Sequence, residues 1–264
     1  VEESPELLAR LKSGGFGFDK LLVASRHHIR SSHVYTYHCE GQKDGGGLYV
    51  YSMADGSLEQ IVDAGAGQIQ NCDLSYDGRR VVFGWRRGAA PYQVFTVNVD
   101  GTELVQLTDG PDHNYDPAWL PDGRIVFLSS RRPQAAYCFF TPVGILYTME
   151  ADGSNQQCIS ANYLNDFTPA VLNDGRIIYG RWEYVDRPAI PIQSLWAINP
   201  DGTKLEGFFG NRVLDPATFI EPQPIPGTSA ILCTMTGHNG SCRGAIGIID
   251  RNVGSNDQEA IRNI

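Results

Sequence analysis

The sequence lacks long apolar runs, and no stretch approaches the ~20 residues that a membrane-spanning helix needs. An excess of positive charge is also missing, and the net charge of −9 argues against a nucleic-acid-binding face, which needs clustered lysine and arginine. Charged residues are scarce at 19%, whereas aromatic residues reach 10% of the 264, which argues against a disordered chain. An acidic globular protein remains, with 29 glycines and 15 prolines available for turns.

The sequence also lacks paired cysteine motifs. None of the six cysteines has Cys-x-x-Cys spacing, so this sequence contains neither a zinc ribbon nor a Cys-x-x-Cys-His haem attachment motif. They would be buried thiols in a cytosolic protein, whereas a few could form disulfides in an exported one. The chain begins at Val1 and shows no signal region. We expect it to be part of a longer, exported protein.

Two classes of Asp-Gly turn alternate along the chain. The first class comprises Asp77-Gly78-Arg79, Asp122-Gly123-Arg124 and Asp174-Gly175-Arg176, with a degenerate copy at Pro226-Gly227. Each turn of this class precedes a short apolar strand. The second class follows a different strand and has its Asp residues at positions 55, 100, 152 and 201, with a decayed copy at Asp250. Asp-Gly is a preferred hairpin turn, because Gly tolerates positive φ and Asp can bond its own backbone.

This alternation predicts the fold class. One unit consists of four antiparallel strands in about 45–50 residues, which is the blade of a β-propeller. Units are expected near residues 66–108, 113–160, 164–208 and 217–251, after a partial unit at 20–62. Propellers more often have six or seven blades than five, so we expect a larger ring into which residues 256–264 would lead. Helical periodicity is confined to residues 5–12, which predicts a lead-in over residues 1–17 and a propeller domain over 18–264.

Residues 18–251 resemble proteins related to the hydrazine synthase alpha subunit. The most distinctive stretch is Arg181-Trp182-Glu183-Tyr184-Val185-Asp186, and the opening Lys20–Arg26 and Gly45–Val50 are also similar. The turns are more loosely similar to those of TolB-like propellers. The resemblance implies an exported bacterial protein, periplasmic or secreted, whose propeller precedes a further domain. In hydrazine synthase that later part carries c-type haems and a zinc lies near the propeller, but this sequence has no haem motif.

A histidine-rich segment is the first candidate site. Arg26-His27-His28 is followed by His33, His38 and Cys39, and imidazole and thiolate ligands suit zinc or copper. No recognised ligand spacing is met, so these residues could equally be strand ends that hydrogen-bond around the ring. Cys138 lies in a long loop between two strands, where functional residues often occur. With the zinc that the resemblance implies, His33, His38 and Cys138 are the candidate metal ligands.

Arginine and aromatic residues form the other candidate. Arg131-Arg132 and Arg181, Tyr184 and Arg187 follow equivalent strands in successive units, so they should emerge on one face. Such a set suits an anionic ligand, and with His33 or His113 as base and Tyr184 as acid it suits a polysaccharide lyase. The alternative is that these arginines pair with Asp116, Asp166 or Asp186. His238 and Cys242 lie in a Gly-rich loop and could form a further ligand pair.

Three functions remain open on the sequence. The first is a propeller domain of a larger exported protein that provides a scaffold and a face for a ligand or partner. The second is an enzyme acting on an anionic substrate, with His33, Arg181 and Tyr184 as catalytic candidates. The third is a hydrazine synthase-like redox subunit with haem supplied elsewhere. The expected partners are other domains or subunits of a larger assembly, with neither a nucleic acid nor a membrane span.

Overall fold

The computed structural model describes residues 4–185 and 191–264, and most of its regular structure is antiparallel strand. Residues Pro5–Lys12 form helix α1, where the sequence predicts helical turns. Ser4 caps this helix by accepting a hydrogen bond from the backbone N–H of Leu7, and Pro5 occupies the first turn, where its missing N–H has no cost. None of the helical residues is buried.

Nineteen strands in the described residues form five antiparallel meanders. The first contains β1 (Lys20–Ser25), β2 (Gly47–Ser52) and β3 (Leu58–Asp63). The second contains β4 (Gly67–Leu74), β5 (Arg80–Arg87), β6 (Gln93–Asn98) and β7 (Val105–Gln106). The third contains β8 (Asn114–Trp119), β9 (Ile125–Ser129), β10 (Ile145–Met149) and β11 (Gln157–Cys158). The fourth contains β12 (Asp166–Val171), β13 (Ile177–Trp182), β14 (Gln193–Ile198) and β15 (Glu206–Phe209). The fifth contains β16 (Thr218–Pro224), β17 (Ala230–Thr236), β18 (Ala245–Asp250) and β19 (Ile261–Asn263).

The meanders follow the repeat units that the turns predict, so the all-β prediction is confirmed. The segment of residues 256–264, expected to lead into another unit, contains β19, which pairs with β18 as the fourth strand of the fifth meander. A unit beyond it stays a prediction. Ala260 and Ile261 pack into the apolar core of that meander, which holds the segment there. The ring of six or seven blades stays a prediction.

The direction of the strands separates two faces. In the four-stranded meanders, first-class turns join the first strand to the second, and second-class turns join the third to the fourth. In the first meander, the second-class turn Asp55-Gly56 joins β2 to β3. Because neighbouring strands run in opposite directions, both classes emerge at the same end, which we call the turn face. The connection between β1 and β2 at residues 26–46 emerges at the other end, the loop face. So do the connections between second and third strands of the four-stranded meanders at residues 88–92, 130–144 and 237–244.

A channel lies between the inner strands of the meanders. One cavity of about 490 Å³ is bordered by residues of β4, β8, β12 and β16, and a second of about 210 Å³ lies beside it towards the loop face. Each of the four strands carries a register shift. At three of these bulges a residue with positive φ precedes proline, namely Asp116 (48°), Thr168 (39°) and Glu221 (53°). Bulges of this kind re-aim side chains, here into the channel.

Candidate functional site

The loop of residues 26–46 crosses the channel on the loop face. Its middle forms a short buried helical turn, Val34–Thr36. The backbone N–H of Val34 donates to the carbonyl of His238 (3.1 Å), and Tyr37 donates its hydroxyl proton to the buried carboxylate of Asp116. Arg243 donates from Nε to His28 Nε2 at 2.8 Å. The loop therefore joins the first meander to the third and fifth and covers the channel.

Beneath this loop, five rings pack into one group, which we call the loop-face cluster: His33, Tyr35, Trp182, Tyr184 and His238. Tyr35 stacks on Trp182 with centroids 4.7 Å apart. His238 meets Trp182 at 4.9 Å and His33 at 5.6 Å, and Tyr184 meets Trp182 at 5.7 Å. Aromatic pairs at these separations add stability beyond the area they bury. The five rings come from segments that are far apart in the sequence, so the cluster forms only when the chain folds.

Two rings of the loop-face cluster, His238 and Tyr35, are uncharged at neutral pH. Burial, with a smaller contribution from His33, lowers the pKa of His238 to about 4, and its Nδ1 lies 2.7 Å from Gln193 Nε2. Burial also raises the pKa of Tyr35, whose hydroxyl has no hydrogen-bond partner among the described residues. The neutral imidazole of His238 and the phenol of Tyr35 can stack against a flat group and exchange hydrogen bonds with it, but they cannot form an ion pair.

Cys138 borders this cluster from the loop of residues 130–144. Its Sγ lies 3.2 Å from the hydroxyl of Tyr184, and this hydrogen bond raises the pKa of Tyr184. All six cysteines are free thiols, Cys138 being exposed. The structure thus brings together His33, Cys138, Tyr184 and His238, four of the residues that the sequence marks as candidates.

His38 occupies a different environment. It is fully buried, stacks on Tyr115 at 4.6 Å and 5°, and meets His113 edge-on at 5.2 Å. Burial and the neighbouring His113 lower the pKa of His38 to about 3. Among residues 4–185 and 191–264, no three His, Cys, Asp or Glu side chains are arranged to hold a metal. The zinc site of His33, His38 and Cys138 stays a prediction, which metal analysis of Cys138→Ser and His33→Ala variants would test.

The guanidinium group of Arg181 is paired with two carboxylates of this chain. It is 4% exposed, its Nε lies 2.8 Å from Glu183 Oε1, and its Nη1 lies 3.6 Å from Asp166 Oδ1. This is the pairing with a blade carboxylate that the sequence allows as an alternative to anion binding. Arg131 similarly donates to Asn114 Oδ1 at 2.9 Å and lies over the ring of Tyr147. Asp186 and Arg187 lie outside the described residues.

Three exposed aromatic residues, which the sequence analysis missed, lie in the loop that borders the cluster: Tyr137, Phe139 and Phe140. We call them the aromatic cap. Their exposed fractions are 66%, 49% and 88%. Phe139 stacks on His33 at 6.1 Å, and Tyr137 meets Tyr184 at 5.7 Å. Adjacent exposed apolar side chains commonly mark an interaction site. Their concentration beside Cys138, in a loop longer than a blade needs, is the signal that could have found them.

No protein-family model matches this sequence. A curated relative, dipeptidyl-peptidase 5 of Porphyromonas gingivalis, is 36% identical over 69 residues, which cover 24% of this chain and 10% of that protein. The sequence match is therefore confined to a small part of each chain.

Solved structures resemble much more of the chain. Hydrazine synthase of Kuenenia stuttgartiensis matches with a TM-score of 0.73 and 13% identity, over 93% of this chain and 39% of that one. TolB from Acinetobacter baumannii matches with a TM-score of 0.57 and 13% identity, over 78% and 46%. An oligogalacturonate lyase in complex with manganese matches with a TM-score of 0.54 and 10% identity, over 80% and 60%. The fold is thus that of TolB-like β-propellers. In the described residues, no helix is long and apolar enough to cross a membrane.

Proposed function

We propose that this chain is the propeller of a larger exported bacterial protein, and that its loop face binds a further domain of that protein. The aromatic cap is the observation that carries the proposal. The chain spans 39% of the hydrazine synthase chain and 46% of the TolB chain, so both of those chains extend well beyond the part that it matches. A periplasmic or secreted location belongs to the same proposal.

The cap has the chemistry of an interface core. Tyrosine and phenylalanine are enriched there because they bury much apolar area while ordering few torsion angles. Phe139 and Tyr137 rest on His33 and Tyr184, so the cap already has a supporting layer. A surface that is ordered in advance loses less conformational entropy when a partner binds.

The enzymatic alternative depends on free arginine side chains. Arg181 and Arg131 both make intramolecular contacts, so two of the guanidinium groups that would hold an anionic glycan are already engaged, whereas Arg132 is exposed. The likeness to an oligogalacturonate lyase concerns the fold alone at 10% identity. We therefore favour the binding role over the lyase, and the redox alternative rests on a fold likeness of the same kind.

Hydroxyl-radical footprinting of the longer protein tests the proposal, with two tyrosines as a matched pair. Tyr137 on the loop face and Tyr76 on the turn face are each 66% exposed. We expect similar labelling of both in the 264-residue chain, but labelling of Tyr137 several-fold below that of Tyr76 in the longer protein. Equal labelling of the two tyrosines in both proteins would overturn the proposal.

A further inference from the structure

In the part of the chain that the structure describes, the first meander has three strands where the others have four, and the turns show which position is unfilled. Asp55-Gly56 joins β2 to β3 in the way that Asp100-Gly101 joins β6 to β7, the third and fourth strands of the second meander. Strands β2 and β3 are therefore the third and fourth of their meander, and β1 is the second. The vacant position is the innermost one, which β4, β8, β12 and β16 occupy in the other four meanders.

The vacancy leaves β1 unusually exposed. No residue of Lys20–Ser25 is buried, whereas its counterparts β9 and β13 are buried throughout and its counterparts β5 and β17 over more than half of their residues. Leu21 is 41% exposed, and Ala24 borders the cavity of about 490 Å³. Strand β1 pairs with β2 along one edge, and no strand in the described residues pairs with the other. Helix α1 does not fill the place, because none of its side chains is buried.

We propose that a β-strand of the same polypeptide, from outside residues 1–264, pairs with the free edge of β1 and completes the first meander. This rests on the proposed membership in a larger protein. An unpaired edge presents a row of N–H and C=O groups that pair readily with an added strand. Such a strand would run antiparallel to β1, as the four other inner strands run antiparallel to their neighbours.

The internal repeat specifies the chemistry of this strand. Three of the four inner strands carry a large buried apolar residue followed two positions later by proline: Tyr115 and Pro117, Phe167 and Pro169, Ile220 and Pro222. Proline is tolerated because the inner strand is an edge strand with a bulge. The residue between them has positive φ and lines the channel. We therefore expect the added strand to carry a large apolar residue, any residue, and then proline.

A peptide with the sequence of residues 111–120, which includes β8, serves as the probe. Added to the 264-residue chain, it should slow amide hydrogen exchange of Lys20–Ser25 by about tenfold or more at saturation. The outer edge strand β7 should keep its exchange rate. The control peptide carries Tyr115→Ser and should have little effect, because it lacks the apolar anchor. Unchanged exchange in β1, or equal effects of the two peptides, would overturn the proposal.

The longer protein separates this proposal from the previous one. There, the amides of Lys20–Ser25 should exchange slowly without any peptide, and added peptide should not slow them further. If these amides exchange as fast as in the 264-residue chain, the strand proposal is wrong, whatever Tyr137 shows. If Tyr137 is labelled as fast as Tyr76 while β1 is protected, only the loop-face proposal fails.

Discussion

The turn face and the loop face are built by different kinds of contact. On the turn face, each Asp accepts hydrogen bonds from a residue two positions on, as Asp100 does from Thr102 and Asp201 from Thr203. On the loop face, side chains far apart in sequence meet, as Tyr37 meets Asp116. Local contacts repeat from blade to blade, whereas long-range contacts differ at each blade. The turn face therefore maintains the architecture, and the loop face is where this protein can differ from others with the same fold.

Truncation of the loop-face cluster should have the largest effect. Trp182 is fully buried and contacts Tyr35, Tyr184 and His238, so Trp182→Ala leaves a cavity that several rings must line. We expect the free energy of unfolding to fall by about 3–5 kcal/mol in urea titrations. Tyr76→Ala on the turn face is the control and should change little. Similar losses for the two variants would contradict the proposed difference between the faces.

Glycine substitutions should distinguish the physical demands of the two faces. A Cβ at Gly144 would lie 2.0 Å from the hydroxyl of buried Tyr115, so Gly144→Ala should cost about 1–3 kcal/mol through steric overlap. Gly175 on the turn face has open space but a φ of +86°, so Gly175→Ala should cost about 1 kcal/mol through the backbone alone. Gly237→Ala, with neither constraint, is the control. Urea titrations measure all three, and an unaffected Gly144→Ala variant would exclude the close packing around Tyr115.

Acid should weaken the loop face through its buried histidines. The unfolded chain protonates histidine near pH 6.5, whereas burial lowers the pKa of His38 to about 3. Between these values the unfolded state binds more protons, so stability falls as pH falls. His38→Phe removes this contribution and should gain about 1.4 kcal/mol over the wild type for each pH unit below 6. Parallel pH profiles of unfolding free energy would show that His38 is not the origin.

The same comparison excludes other titrating groups. Burial raises the pKa of Asp116 to about 7, which gives a stability contribution that is lost as pH rises through that value. Asp116 is present in both proteins, so its contribution largely cancels in the difference between His38→Phe and the wild type. The remaining difference in unfolding free energy between His38→Phe and the wild type comes from the protonation of His38 and its interaction with His113.

The smallest effect is expected on the turn face. Asp201 is exposed, and hydrogen bonds from Thr203 lower its pKa. Asp201→Asn keeps an acceptor oxygen for the turn, so we expect the Tm at pH 7 to change by less than about 1 °C in calorimetry. A loss of several degrees would mean that this face also depends on charge.

The architecture could be predicted because its signals are local. The turns at Asp122-Gly123 and Asp152-Gly153 lie between strands that pair with each other, so sequence spacing alone bounds the meanders. Helix α1 could be predicted for the same reason, from its spacing of apolar residues and its proline. The fourth strand of the last meander was missed because its turn at Asp250 is decayed.

The candidate site could be predicted only in part. His33, Cys138 and Tyr184 were marked by residue type, but their meeting around Trp182 depends on how separate blades are placed. The internal pairing of Arg181 with Asp166 was one of two readings, and burial decides between them. The channel had a usable signal in the Asp116-Pro117, Thr168-Pro169 and Glu221-Pro222 dipeptides, which recur at one repeat position.

The loop of residues 26–46 has a consequence for the order of folding. Meanders form from neighbouring segments, and each can pair its strands as soon as it is synthesised. The contacts of this loop with the fifth meander span more than 200 residues, as between Cys242 and Val34 (208) and between Arg243 and His28 (215). The loop is therefore synthesised early, but it cannot form these contacts until the fifth meander has also been synthesised. Until then the channel stays open at the loop face, and the loop-face cluster lacks His238.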